Sequence, residues 1–172
     1  MGKHKASEEP GDGFWDWSNA VYRRPGVADR LLALQDSADL NVNLILWCAW
    51  IGLERGAVKA KAVRKAASAS ADWSSAVVAP LRAARKALKS APDEADGSEA
   101  LRKAVKNAEL DAERIEQSML ERMAPEDIEG EPGAAAALAN LIAYRDAMSS
   151  RAPDDAFDGL VGCLAATDAD DE

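Results

Sequence analysis

Histidine occurs once in the 172 residues, as His4, within a polar N-terminal stretch, MGKHKASEEPGDG, that has no apolar core. Its placement removes histidine general bases, Ser-His and Cys-His pairs, and imidazole metal ligands from the folded part of the chain. Cysteine is nearly as scarce. Cys48 and Cys163 stand at neither a zinc nor a redox spacing, and a chain with so few thiols fits a reducing cytoplasm. No Gly-rich phosphate loop, nucleophile elbow or HExxH is present. Aromatics make up 5% of the residues, and β-branched and aromatic residues never alternate over the length of a strand, so sheet is expected to be almost absent. The apolar run from Val42 to Leu53 is shorter than the roughly 20 residues a membrane span requires. The N-terminal stretch reads neither as a signal peptide nor as a myristoylation signal, since Ala6 stands where Ser or Thr is wanted. No cofactor, no metal site and no membrane association are expected.

What is abundant is Ala, Leu, Glu, Lys and Arg, within a chain that is 48% hydrophobic. Both features point to an all-α fold with an adequate core. The expected organisation is a disordered tail over 1–12, one α-helical domain over 13–165 with an acidic linker at 125–132, and a disordered acidic tail over 166–172. Charge is distributed unevenly along it. Residues 55–89 hold nine Lys/Arg and one acid, whereas residues 109–172 hold four Lys/Arg and seventeen acids. Two such segments neutralise each other most simply within one fold.

The fold is expected to be a small helical bundle around a central helix spanning 40–56, LNVNLILWCAWIGLERG, which is apolar on every side and so must be enclosed. Asn41 is placed to cap it, and Asn43 is the polar residue inside its apolar run. Upstream, Phe14, Trp17 and Val21 form the stripe of a short helix starting near Asp12, and Pro25 is placed to open a second helix reaching about Ala38. Downstream, the basic KAKAVRKAASASA reads as a weaker helix or a linker. Asp72 is a candidate cap and Pro80 an expected bend or start. DWSNAV at 16–21 recurs as DWSSAV at 72–77, and both read as helix starts with Asp as cap and Trp as anchor.

Residues 73–89 and 96–123 are expected to form a long antiparallel helical hairpin, the second arm opening on Asp96 with Glu99 in a capping-box arrangement. Leu101, Val105, Ala108, Ala112, Ile115 and Met119 alternate spacings of four and three, which marks them as its apolar seam. Reflection about the loop brings Arg82 and Arg85 to Glu109, with Glu113 and Glu116 on the same charge-paired side. Helices over 134–149, with Leu138, Leu141, Ile142, Arg145 and Met148 on one side, and from Pro153 to about residue 165 complete the chain.

The aromatic pair Phe14 and Trp15, Tyr22, Pro25-Gly26-Val27, Leu34-Gln35-Asp36, and Val42-Asn43-Leu44 leading to Trp50 form a pattern. It resembles that of a family of small uncharacterised proteobacterial proteins catalogued as a domain of unknown function. The likeness continues more weakly through DWSSAVVAPLRAARKALK and ELDAERIEQSML. The resemblance implies a cytoplasmic bacterial helical protein and brings no activity, substrate or catalytic residue with it.

With no catalytic set present, the expected role is that of a non-enzymatic adaptor or regulator that binds another protein. Tryptophan is concentrated between residues 15 and 73, and Trp15 is the strongest candidate for an exposed anchor. The alternative is a bundle enclosing a small ligand or metal, with Gln35, Asp36, Asn43 and Glu109 as polar lining. A minor alternative is non-specific nucleic-acid contact through Lys59, Lys61, Arg64 and Lys65, which the net charge of -9 and the lack of interleaved aromatics oppose.

Overall fold

The computed structural model describes residues 13–90 and 96–166. Helices α1 (Phe14–Tyr22), α2 (Val27–Ala38), α3 (Val42–Glu54), α4 (Ala60–Trp73), α5 (Ala79–Lys89), α6 (Ser98–Arg122), α7 (Ala134–Ala147) and α8 (Asp154–Ala165) follow one another, with a π-helical turn, Ser74–Val78, joining α4 to α5. The fold is all-α. Its one β-type pairing among the described residues is an isolated bridge between Ala57 and Glu129. The expected tail at 1–12 and all but residue 166 of the expected tail at the other end lie outside the described residues.

The centre is α3. The Asn41 side chain accepts from the amides of Asn43 and Leu44 at 2.8 and 3.3 Å, supplying partners for groups the first turn leaves open. From there Leu44, Ile45, Leu46, Trp47, Cys48, Ala49, Ile51 and Gly52 are all buried. Trp47 is fully enclosed, and its indole N–H donates to the Leu120 carbonyl at 2.7 Å. At roughly 1.5–3 kcal/mol for each large apolar side chain removed from water, this helix carries the largest share of the core. Phe14 of α1 stacks on Trp50 with ring centroids 5.2 Å apart.

Opposite α3 lies α7, with its backbone very close. A Cβ built on Gly52 would fall 2.2 Å from the Ala137 Cα, so only glycine permits this crossing. Asn140 secures the same interface by donating to the Cys48 and Gly56 carbonyls and accepting from the Val58 amide. The docking face of α7 is therefore Ala136, Ala137, Asn140, Leu141 and Tyr144. Of the face expected from Leu138, Leu141, Ile142, Arg145 and Met148, Leu141 is buried and Leu138 and Ile142 pack on the core, whereas Met148 is exposed and Arg145 pairs with Asp146 and Asp154. Close helix approach selects small residues, and a hydrophobic count overlooks them. The acidic segment 125–132 is held to the core, with Ile128 packed on it and Asp127 paired with Lys59.

Several helix boundaries differ from expectation. The second helix opens after Gly26, whose φ of 78° is left-handed, so Pro25 belongs to the turn before it. Residues 60–73 form a regular helix because Val63, Ala66, Ala67 and Ser70 give the basic segment a buried face. Asp72 lies inside that helix and caps nothing, and Asp16 likewise lies within α1, so the repeated Asp-Trp-Ser does not mark helix starts. The tryptophan part of that expectation holds for Trp73, which donates to the Ala112 carbonyl at 2.9 Å.

Pro80 stands in the first turn of α5, one of the two roles expected of it. It lacks an amide hydrogen and crowds the carbonyl one turn earlier. The π-helical turn immediately before it absorbs the mismatch, with the Ala79 amide donating to the Ser74 carbonyl five residues back. The hairpin's first arm is thus continuous with α4. Its second arm opens at Ser98 behind Gly97, at φ 81°, with no side-chain cap; Glu99 pairs with Arg102 instead of closing a capping box.

The largest correction concerns α6. Its buried residues are Glu109, Ala112, Glu116, Gln117 and Leu120, whereas Leu101 and Ile115 of the expected seam are 54% and 48% exposed. The polar side of this helix faces inward because its neighbours supply donors for it.

Candidate functional site

Those donors line a cleft of about 1070 Å³ between two walls. One wall is built by α1, α2 and the start of α3, the other by the end of α4, the π-helical turn, α5 and α6. Trp15, Gln35, Asp36, Asn43, Arg82, Arg85, Glu109 and Glu113 all line it, so the fold gathers in one place residues that sequence reasoning had put in two groups.

The floor is a closed polar network around Glu116, which is 1% exposed. One carboxylate oxygen accepts from the Asn41 amide at 2.9 Å and from the Ser70 hydroxyl; the other accepts from the Asn43 amide at 3.0 Å. Asn43 in turn accepts from Gln117 at 2.8 Å, and Gln117 accepts from the Ser18 hydroxyl at 2.8 Å. Tyr144 closes the circle, its phenol oxygen accepting from the Asn41 backbone amide at 2.9 Å. Burial pushes the Tyr144 phenol well above its ordinary value, so it remains a neutral hydroxyl. Asn43 therefore bonds a neighbouring helix, and Asn41 combines capping with tertiary contact.

Further along the second wall, Arg82 donates to Glu109 and to Glu113, each at 3.0 Å, and Arg85 also donates to Glu109. Burial alone would raise the Glu109 carboxyl, but the hydrogen bonds and charges of Arg85 and Arg82 outweigh it and hold Glu109 below its usual range. Glu113 moves the opposite way. Burial raises it, the Glu109 and Glu116 charges add to that, and Arg82 compensates only in part. Glu116, expected on the same charge-paired face, has no cation beside it among the described residues and relies on neutral donors. The sequence places it with Glu109 and Glu113 on one side of the helix, one turn from Glu113 and two from Glu109, but does not show that it is the centre of a buried network.

At the rim, Tyr22, Leu32, Leu110 and Met148 are large apolar side chains left 39–50% exposed. Trp15 is half-buried beneath the Arg114 guanidinium, 5.1 Å from its ring centroid. Gln35 is half-buried and Asp36 exposed on α2, where Asp39 adds a second acid to the wall; Lys86 stands on the opposite wall. Ser70 in the floor is fully buried, and in the core behind it burial raises the Cys48 thiol far above its ordinary value, so neither presents a reactive nucleophile.

Among the described residues no helix is long and apolar enough to cross a membrane. No curated protein and no solved structure matches the chain. A family model matches residues 13–120, the stretch that carries α1 through most of α6 and with them both walls and the Glu116 network apart from Tyr144. The chain belongs to the family described as Protein of unknown function (DUF2390).

Proposed function

We propose that the protein is a cytoplasmic adaptor or regulator that acts by binding, and that its cleft receives a segment of a partner protein. The observation that carries this reading is the combination at the rim. Four large apolar side chains, Tyr22, Leu32, Leu110 and Met148, stand exposed around a cleft whose floor is already saturated with internal hydrogen bonds. A floor so satisfied gives a small polar ligand few free groups to hold. An apolar rim gives anchor side chains of a docking helix or strand somewhere to go. The volume agrees, since about 1070 Å³ lies just above the ~300–1,000 Å³ usual for small-molecule pockets. Asp36 and Asp39 on one wall and Lys86 on the other orient the incoming segment by charge.

Site-specific photo-crosslinking in the native cytosol tests the proposal. A photoreactive residue at Leu32 or Leu110 is expected to capture one and the same protein, and the same group at exposed Ala87 is expected to capture none of it. Capture at all three positions alike, or at none, overturns the reading. Co-purification of a bound small molecule, seen by native mass spectrometry, would replace the partner segment with a ligand.

A further inference from the structure

Both walls of the cleft are helical, so nearly all their backbone amides and carbonyls are bonded within their own helices. An extended segment lying there finds no strand edge to join, and the polar side chains of the floor are already bonded to one another. A helix needs neither, because it satisfies its own backbone. The charges that line the cleft are unevenly matched. Arg82 and Arg85 are spent on Glu109 and Glu113 within one wall. On the other wall Leu32, Gln35 and Asp36 of α2 and its cap residue Asp39 follow at spacings of three, one and three, which puts them on one face. Asp36 and Asp39 are exposed, and neither has an ion-pair partner among the described residues. The last turn of α2 contains no basic residue, although the negative end of a helix favours cations.

We propose that the partner segment is an amphipathic helix that lays its apolar side on Leu32 and Leu110 and sets Lys or Arg side chains against Asp36 and Asp39. This rests on the reading that the cleft receives a protein segment, and it adds the conformation and the charge of that segment. Leu32 stands one turn from Asp36 on the same face of α2. A docking helix that seats an apolar side chain on Leu32 therefore has a residue one turn further along its own surface within reach of the two carboxylates. The stems of Lys and Arg cover apolar surface while their charged ends stay at the polar edge, which suits a rim where leucine and aspartate alternate. Lys86 is the single lining cation without an ion-pair partner among the described residues, so the charge left open to a partner is two acids against one base. That balance selects a basic flank over an acidic one.

Three fluorescent synthetic peptides of roughly 18 residues, about five helical turns, are the probes. They share an Ala-based helix with one Leu face and differ on one flank, which is Lys, Gln or Glu. Fluorescence anisotropy with the full chain at low ionic strength is expected to show the Lys peptide binding about fivefold more tightly than the Gln peptide, and the Glu peptide most weakly. The D36K/D39K variant should reverse that order. E131K/D158K makes the same change of net charge at exposed positions outside the cleft and should keep it. L32S/L110S should weaken all three peptides with an unchanged circular dichroism spectrum. Equal binding of the three peptides overturns the proposal, as does an order that D36K/D39K leaves in place or that E131K/D158K reverses. Failure of every peptide to bind overturns it too, and crosslinking at Leu32 and Leu110 then tells whether the wider reading of the cleft falls with it.

Discussion

Asn43 on α3 and Glu116 on α6 meet at 3.0 Å in the floor of the cleft, and the carboxylate that Asn43 reaches is held by neutral donors alone. A buried carboxyl group kept this way depends on every one of those bonds. Glu116→Ala strands Asn41, Asn43 and Ser70 without their acceptor, and about 3 kcal/mol of stability should be lost. Glu116→Gln keeps the shape but turns one acceptor into a donor that faces another donor, at a cost of about 2 kcal/mol. Urea unfolding measures both. A Glu116→Ala midpoint equal to that of the parent would show that the network carries no stability.

Asn43→Asp places a second carboxylate on the first at nearly unchanged volume. Like charges at hydrogen-bond distance cannot both ionise without penalty, so the folded pair should bind a proton that the unfolded chain releases at lower pH. The variant is therefore expected to be less stable than the parent at neutral pH and to recover as pH falls into the carboxylate range. A deficit independent of pH would mean that the two side chains do not approach each other in solution.

How much of this was legible beforehand depended on whether an element specifies its own environment. A helix apolar on all sides has only one place to go, so the expected central helix over 40–56 brackets α3, Val42–Glu54, with its Asn41 cap. The second half of the hairpin offers two stripes of the same period, an apolar one through Leu101 and Ile115 and a polar one through Glu109 and Glu116. Hydrophobicity alone selects the apolar stripe. The polar one is inward because Arg82 and Arg85 reach it from α5 and because Asn41, 75 positions away, reaches Glu116. Periodicity within one helix holds no record of donors supplied by another. Asp72 misleads in a related way: it is a local capping signal, yet α4 runs through it into a π-helical turn that has no sequence mark of its own, whereas Pro80 does stand in the first turn of α5. Trp15, Gln35, Asp36 and Asn43 could be nominated for the site, while their convergence with Arg82, Arg85, Glu109 and Glu113 on one cleft needed the fold.

Glu109 and Glu113 share Arg82 yet are shifted in opposite directions, which gives the protein a pH dependence of known sign. Glu109 is lowered, so its contribution is present above its unfolded value and is lost as pH falls through the lower folded value. Glu113 is raised, so its contribution is present below its unfolded value and is lost as pH rises through the higher folded one. Glu113→Gln retains an oxygen for Arg82 and has nothing to ionise. Its stability relative to the parent should therefore rise between the ordinary glutamate range and neutrality. Glu109→Gln should be less stable than the parent at neutral pH, with the difference shrinking in acid. Unfolding midpoints of the three chains across that interval decide the matter, and parallel curves would contradict it.

Gly52 governs how α7 sits on α3. A methyl group there would meet the Ala137 Cα at 2.2 Å, its nitrogen at 2.3 Å and the Ala136 carbonyl carbon at 2.8 Å, all backbone atoms that no rotamer change can move aside. The Gly133 amide donates to the Gly52 carbonyl at 2.8 Å, so withdrawing α7 would break that bond as well and loosen the Asn140 bonds to Cys48 and Gly56. Alanine favours a helix interior by about 1 kcal/mol over glycine, and overpacking against rigid backbone costs about 3 kcal/mol or more. The second effect wins. Gly52→Ala should lose about 2 kcal/mol net, and hydrogen exchange should quicken in α7 before it does in α1 or α2. A Gly52→Ala chain as stable as the parent, with α7 equally protected, would show that the two helices do not cross as closely as described.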